Sequence, residues 1–343
     1  MRFDVVIGNP PYNNDIYLDF IHLGYGIADK VCMITPIKFW CKADKVNERF
    51  RNRFNKHIKH IVCFRNTHDI FDIGEPAGIA YYLIDHNTYD KVQAKFLCKK
   101  NELFYSNSYE VKEADRLELL PDKLVKLKDK ILWNRESIHE YIGFRRQVYV
   151  GEQERGIENK DRLVGETVDI MQGSKLAGYI LKSDLFTLDN LYRYKCIEPC
   201  MSAQGSGDAF DENGRVLGSS MVHIIDPNQV PKGSFQIMAY FDTLDEAKSF
   251  KSYINSKTMS CMQFLGISGT QVTKAFFRYV PNETDWTLIY DDDIIEYSGN
   301  IEEIGDDGIY TDINGIKRCS LYRKYNLTSD EINIIESIIK GRK

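Results

Sequence analysis

Asn9, Pro10, Pro11 and Tyr12 follow directly on the apolar run Phe3-Asp4-Val5-Val6-Ile7-Gly8, and their residue types suit the handling of an exocyclic amine. A planar amine can donate one hydrogen to the Asn9 side-chain carbonyl and the other to the Pro10 backbone carbonyl, while the Tyr12 ring stacks on the heterocycle that carries it. Two such acceptors draw the nitrogen lone pair out of conjugation and aim it at an electrophile. Proline suits the second position because its fixed φ stiffens the preceding peptide and leaves the carbonyl presentable.

The elements that must position this tetrapeptide are legible as patterns. Residues 3–8 read as a buried parallel strand that two consecutive prolines stop, and ligands of open α/β sheets sit at such carboxyl ends. Residues 15–28 have a helical pattern that places Ile16, Phe20, Leu23 and Ile27 on one face. Residues 30–36 form a second strand, completing a βαβ unit. Gly24 and Gly26 follow a helix rather than a strand, which excludes a dinucleotide-type phosphate loop. Further strands are expected at Ile58 to Phe64, Gly78 to Ile84 and Val92 to Cys98, with a loop holding Asn66, Phe71, Asp72 and Gly74 before the second of these. Together they read as the later half of a doubly wound, Rossmann-like sheet.

The string Phe-Asp-Val-Val-Ile-Gly-Asn-Pro-Pro-Tyr resembles the catalytic motif of amino-methyltransferases that use S-adenosylmethionine. That class acts on adenine N6 in DNA or on glutamine N5 in proteins. The order of this motif, then Met33-Ile-Thr-Pro-Ile-Lys-Phe-Trp40, then Phe71 to Ile84, resembles the large adenine-specific DNA methyltransferases of bacterial restriction-modification systems. So do Gly269 to Pro281 and the segment starting at Leu321. The resemblance implies that Asn9, Pro10, Pro11 and Tyr12 are catalytic and that Pro36, Gly78, Tyr81 and Tyr82 line the pocket of a flipped-out base, with Ala77-Gly78 standing where a Gly-Gly pair is expected.

That family binds its cofactor with a Gly-rich turn after one strand and an acidic residue after the next, both ahead of the catalytic motif. Eight residues precede Asn9, and Gly205-Ser-Gly207 and Gly266-Ile-Ser-Gly269 sit in the wrong context. The expectation is a chain that uses S-adenosylmethionine yet binds it weakly or not at all alone, completed by a separate polypeptide carrying the cofactor half. The alternatives are a DNA-binding remnant or specificity module without activity, and a protein glutamine methyltransferase.

Composition is that of an ordinary two-domain globular protein: 343 residues, 43% hydrophobic, 28% charged and a net charge of −5. No apolar run is long enough to span a membrane and no signal peptide is legible, so the chain reads as cytoplasmic. Its eight cysteines are scattered without a Cys-x-x-Cys pair, as expected of reduced thiols, and no metal site is foreseen. The carboxylates between Asp291 and Asp312 lack the spacing of a calcium loop and read as a solvated hairpin.

The modest negative charge leaves double-stranded DNA to local basic patches. Lys38, Lys42 and neighbouring basic residues of 38–60 interleave with Phe39, Trp40, Phe50 and Phe54, either as a solvated face over an aromatic core stripe or as a phosphate-contacting surface. Residues 1–100 thus form the catalytic half, 101–142 a helical linker, 143–285 an α+β target-recognition domain, and 286–343 a C-terminal hairpin and helix. Strands are expected at 147–150, 192–197 and 221–225, with a hairpin turn at Asp211-Glu-Asn-Gly214. Arg145, Arg146, Arg193 and Lys195 are the DNA-contacting candidates of that domain. Capping boxes at Thr243/Glu246 and Thr328/Glu331 open two helices.

Overall fold

The computed structural model describes residues 2–41, 45–64, 67, 70–71, 78–98, 102–110, 122–143, 160–201, 221–267 and 271–339. The chain is a mixed α/β protein that divides into two compact units, one chiefly before residue 128 and the other chiefly after it.

The first unit is built on six strands: β1 (Phe3–Gly8), β2 (Ala28–Pro36), β3 (Ile58–Phe64), β4 (Ile79–Asp85), β5 (Lys91–Cys98) and β6 (Glu102–Glu110). They form one sheet in the order β1-β2-β4-β3-β5-β6. β1 and β2 run parallel and are joined by α1 (Tyr17–Ile27), the expected βαβ unit. β4 lies antiparallel between β2 and β3, so the sheet is mixed rather than parallel throughout. The short helices α2 (Lys38–Cys41) and α3 (Lys45–Phe54) follow β2.

One core holds this unit together. Tyr17, Leu18 and Ile21 of α1, Phe39 and Trp40 of α2, and Phe50 and Phe54 of α3 pack on Val31, Met33, Ile61, Tyr82, Ile84, Val92 and Phe96 of the sheet. The aromatic residues of 38–60 are therefore core, and Arg51, 2% exposed, donates to the Phe39 carbonyl at 2.7 Å. All these strand residues belong to one face of the sheet, so α1, α2 and α3 cover that face together.

Two expectations are corrected here. The stripe Ile16, Phe20, Leu23 and Ile27 is not the buried one: these residues are 37–61% exposed, whereas Tyr17, Leu18, Ile21 and Gly24 are buried. α1 is apolar around much of its girth, so periodicity alone does not fix its rotation. Gly24 does, because a Cβ there would lie 3.3–3.4 Å from Val31 and Val6, and only this side of the helix lies flat on β1 and β2. The second correction is that β1 is an edge strand among the described residues: Phe3, Val5 and Ile7 are 50%, 45% and 76% exposed.

The helix α4 (Asp122–Leu132) runs from the first unit's sequence into the second's. In the second unit, β7 (Thr167–Gln172) and β8 (Lys175–Leu181) form a hairpin turned at Gly173, whose φ of +63° suits glycine. β9 (Tyr194–Pro199) is flanked by β10 (His223–Ile225) and β12 (Phe235–Phe241), and β11 (Gln229–Pro231) pairs with β7. The helices α5 (Leu244–Asn255) and α6 (Lys257–Gly266) follow. A small sheet of β13 (Ile289–Asp291), β14 (Ile309–Thr311) and β15 (Lys317–Ser320) precedes α7 (Leu321–Lys324) and α8 (Ser329–Ile338). Both capping boxes form, Thr243 with Glu246 and Thr328 with Glu331.

The acidic segment is anchored rather than fully solvated: Arg318 bridges Asp291 and Asp312, each at 2.6 Å. No cluster of metal-ligating residues occurs among the described residues, and no described helix is long and apolar enough to cross a membrane. The strand expected at 147–150 and the turn at 211–214 lie outside the described residues.

Candidate active site

Asn9, Pro10, Pro11 and Tyr12 sit where β1 ends. Asn9 and Pro11 are exposed, Pro10 is buried and Tyr12 is half-buried. After Tyr12 the chain turns sharply into α1, with Asn14 and Asp15 at φ of 52° and 59°, a left-handed geometry that Asn and Asp tolerate. Tyr12 packs against an apolar cluster of Val62, Phe64 and Ile79, with Ile34, Ile70, Phe71 and Leu97 around it. From there its hydroxyl donates to Asn9 Oδ1 at 2.9 Å.

β2 ends beside this turn. Gly8 is in register with Met33 and Pro36 with Ile79, so the carboxyl ends of β1 and β2 and the start of antiparallel β4 share one edge of the sheet. The Gly78 carbonyl accepts from the Ile37 amide at 3.1 Å, and the φ of +87° at Gly78 is one that an L side chain strains. Pro36 and Gly78 are both buried. Lys38, assigned above to DNA, has its Nζ 3.1 Å from Asp15 Oδ1, in the turn that follows Tyr12.

The two tyrosines of β4 part company. Tyr81 is opposite Ile34 and Val62 on the sheet face away from the helices and is 39% exposed. Tyr82 is opposite Met33 and Ile61, 1% exposed, with its ring edge-on to Phe39 and Trp40. Burial pushes its phenol far above the usual tyrosine range, against the opposing bond to Thr35, whose Oγ1 is 3.1 Å from the Tyr82 hydroxyl. The expectation that Tyr82 lines a base pocket is therefore corrected, since a ring enclosed in the helix-side core has no free face to stack. Sequence reasoning missed Thr35, which links that buried hydroxyl to the Pro36 carbonyl at 3.3 Å; a polar residue next to a strand-ending proline was the available signal.

In the second unit, Arg193 lies immediately before β9, its side chain 38% exposed and ion-paired with Asp242 at 2.7 Å. Lys195 is 2% exposed, and its Nζ donates to the carbonyls of Leu191 and Arg193, each at 2.8 Å. Burial pulls its pKa down to about 8, partly opposed by Asp226. Lys195 is thus a buried tie for the turn before β9 rather than a phosphate contact, which corrects its assignment to DNA binding. Lys42, Arg145 and Arg146 lie outside the described residues.

No protein-family profile matches the chain. Over 104 residues it is 34% identical to a protein of Mycoplasma pneumoniae described as an uncharacterized adenine-specific methylase, a match covering 26% of this chain and 25% of that protein. This chain is similar to an adenine-specific methylase. It spans about a quarter of the length of that relative. Among solved structures it is similar to the type IIG restriction endonuclease BpuSI, at 10% identity and a TM-score of 0.35 over 81% of this chain and 47% of that one. It is also similar to the type IIL restriction-modification enzyme MmeI, solved in complex with DNA, at 8% identity and a TM-score of 0.38 over 80% and 45% of the two chains.

Proposed function

We propose that this chain is the catalytic and DNA-recognition part of a DNA adenine N6-methyltransferase of a restriction-modification system. The observation that carries this reading is the tetrapeptide Asn9 to Tyr12 at the carboxyl end of β1, with an exposed asparagine carbonyl and a tyrosine seated beside it on an apolar cluster. Similarity to an adenine-specific methylase supports it.

In this reading an adenine leaves the duplex and enters the site, as bases must when chemistry is done on them. Its N6 amine donates to Asn9 Oδ1 and to the Pro10 carbonyl, and Tyr12 stacks on the ring. Both acceptors sit on a strand end stiffened by two prolines, so they are oriented before the base arrives. They favour a pyramidal nitrogen over a planar one, which is where a transition state differs from its ground state. Pro36 and exposed Tyr81 lie on the same face of the sheet, Gly78 precedes β4 beside them, and in this reading the three complete the pocket.

S-adenosylmethionine supplies the methyl group in this class of reaction. The described residues offer it no cradle: a Cβ at Gly8 would meet Met33 at 3.0 Å, Gly24 is closed against Val31, and Gly26 belongs to a helix. The cofactor half is then supplied from outside the described residues, in a Rossmann-like sheet that the present strands continue. We assign DNA recognition to residues 143–285, with Arg145, Arg146 and Arg193 as the donors to phosphates or guanine edges.

The test is base capture. Duplexes carrying adenine or purine, which lacks the exocyclic amine, at the target position should differ in affinity for the wild-type chain and differ less for Asn9→Ala, which keeps the Pro10 acceptor. Equal discrimination by both proteins would remove Asn9 from the reaction.

A further inference from the structure

Arg193 leads into β9, and both its backbone and its side chain are held in place. Register pairs Tyr194 with Phe241 of β12, which brings the next residue, Asp242, opposite Arg193. The Arg193 Nε lies 2.7 Å from Asp242 Oδ1, and Nη1 donates to Asn190 Oδ1 at 3.3 Å. Asn190 has a φ of +61°, which asparagine tolerates, and its carbonyl accepts from the Arg193 amide at 3.2 Å. Beneath this turn the Lys195 ammonium donates to the carbonyls of Leu191 and Arg193. A guanidinium has five N–H groups, and Asp242 and Asn190 occupy two. Those left include one on each terminal nitrogen, a parallel pair that can span two acceptors.

The surroundings of this fork are apolar and electrically balanced. Leu185 and Leu191 pack on the core of the second unit, while Phe186, Leu188 and Tyr192 of the same segment are 55%, 48% and 60% exposed. The Lys182 ammonium stands over the Tyr192 ring and lies 2.8 Å from Glu166 Oε2, so both cations of residues 182–193 have a carboxylate beside them. Asp184 and Asp189 offset Lys182 and Arg193, and the segment carries no net positive charge.

We infer that Arg193 reads a guanine in the major groove, donating from its two terminal nitrogens to O6 and N7, with Asp242 and Asn190 as the positioning residues that aim it. This rests on the reading of residues 143–285 as the DNA-recognition part. The choice of guanine over phosphate follows from charge and geometry. A phosphate carries a full negative charge that Asp242 repels at short range, whereas O6 and N7 of guanine are neutral acceptors. A phosphate contact asks only for a nearby cation, which lysine also supplies; two acceptors on one base edge ask for a planar fork held at one angle. Asp242 and Asn190 fix that angle, so little freedom is lost on binding. Adenine presents a donor where guanine presents O6, and it would leave one N–H unpaired. Phe186, Leu188 and Tyr192 supply apolar surface that excludes water from the pair and strengthens its hydrogen bonds.

The test selects binding sites for the full chain from a randomised duplex pool at fixed salt, with wild type, Arg193→Lys and Asp242→Asn compared. Wild type should select a sequence with at least one fixed G·C pair. Arg193→Lys should lower the preference for guanine at one such pair about 5- to 150-fold with a nearly unchanged salt slope, because the charge stays and the fork is lost. Asp242→Asn should move two readouts in opposite directions. Guanine preference at the same pair should fall at least about threefold, while affinity for unrelated duplexes rises up to about fivefold as the repulsion is removed. Both side chains are at least 38% exposed, so circular dichroism melts should match wild type. A phosphate contact gives another pattern: Arg193→Lys keeps the selected sequence, and Asp242→Asn raises affinity for all duplexes without relaxing any position. That pattern overturns the proposal, as does a selected sequence that neither variant alters. A selected site without a fixed G·C pair overturns it while leaving the DNA-recognition reading in place, whereas a wild-type chain that selects no sequence removes both.

Discussion

The Tyr12 hydroxyl donates to Asn9 Oδ1, the acceptor assigned to the adenine amine. An amide oxygen has two acceptor positions, so the amine competes with Tyr12 where its approach overlaps this bond, and Tyr12→Phe removes the competitor while keeping the ring. A hydrogen bond of this kind contributes about 0.5–1.5 kcal/mol net, so the variant should prefer adenine over purine about 2- to 12-fold more strongly than wild type does. Tyr12→Ala loses the stacking surface as well, roughly 1–3 kcal/mol, and should bind the extrahelical base about 5- to 150-fold more weakly. The assay is competition between adenine and purine duplexes, selected from a randomised pool and measured at one fixed salt concentration, because backbone contacts shift every affinity with ionic strength. An adenine preference that Tyr12→Phe leaves unchanged, or lowers as far as Tyr12→Ala does, would refute the competition.

Three further outcomes are expected. Calorimetry of the isolated chain with S-adenosylmethionine should show no binding in the micromolar range, and a micromolar dissociation constant would contradict the lack of a cofactor cradle among the described residues. Lys195 has a folded-state pKa of about 8, below its unfolded value, so the unfolded chain binds more protons between that pH and about 10.4 and wild-type stability rises across this interval. The gain relative to Lys195→Met should reach at most about 3 kcal/mol in denaturant titrations, and parallel pH profiles of the two proteins would show that Lys195 titrates normally. Arg193→Ala should either weaken binding to all duplexes with a smaller salt slope or relax one position of the selected sequence by about 1–3 kcal/mol. If it changes neither, its role is confined to its partners Asp242 and Asn190.

What the sequence made legible is local. The end of β1 follows from two prolines, and both capping boxes follow from a hydroxyl residue and a glutamate three positions apart. What it concealed depends on neighbours. β1 looks like a central strand because its apolar run does not reveal which strands flank it, and among the described residues it is an edge. The rotation of α1 is set by Gly24 against Val31 and Val6, a contact between three elements. Tyr81 and Tyr82 are equivalent aromatic residues until the pairing of β4 with β2 sends one to each face. Lys195 reads as a surface charge because its acceptors, the Leu191 and Arg193 carbonyls, are made available only by the turn before β9.

The central claim, that Asn9 and Pro10 hold an adenine amine for methyl transfer, is tested most directly by single-turnover methylation of DNA. The wild-type chain and Asn9→Ala would each be supplied with S-adenosylmethionine and a cofactor-binding half, and the product nucleosides would be identified by mass spectrometry. The account predicts N6-methyladenine from the wild-type complex, and from Asn9→Ala a turnover at least 100-fold lower with DNA affinity nearly unchanged, as for loss of a hydrogen bond made chiefly in the transition state. A methyl group found on another base or on a protein glutamine, or an Asn9→Ala complex that turns over at the wild-type rate, would contradict it.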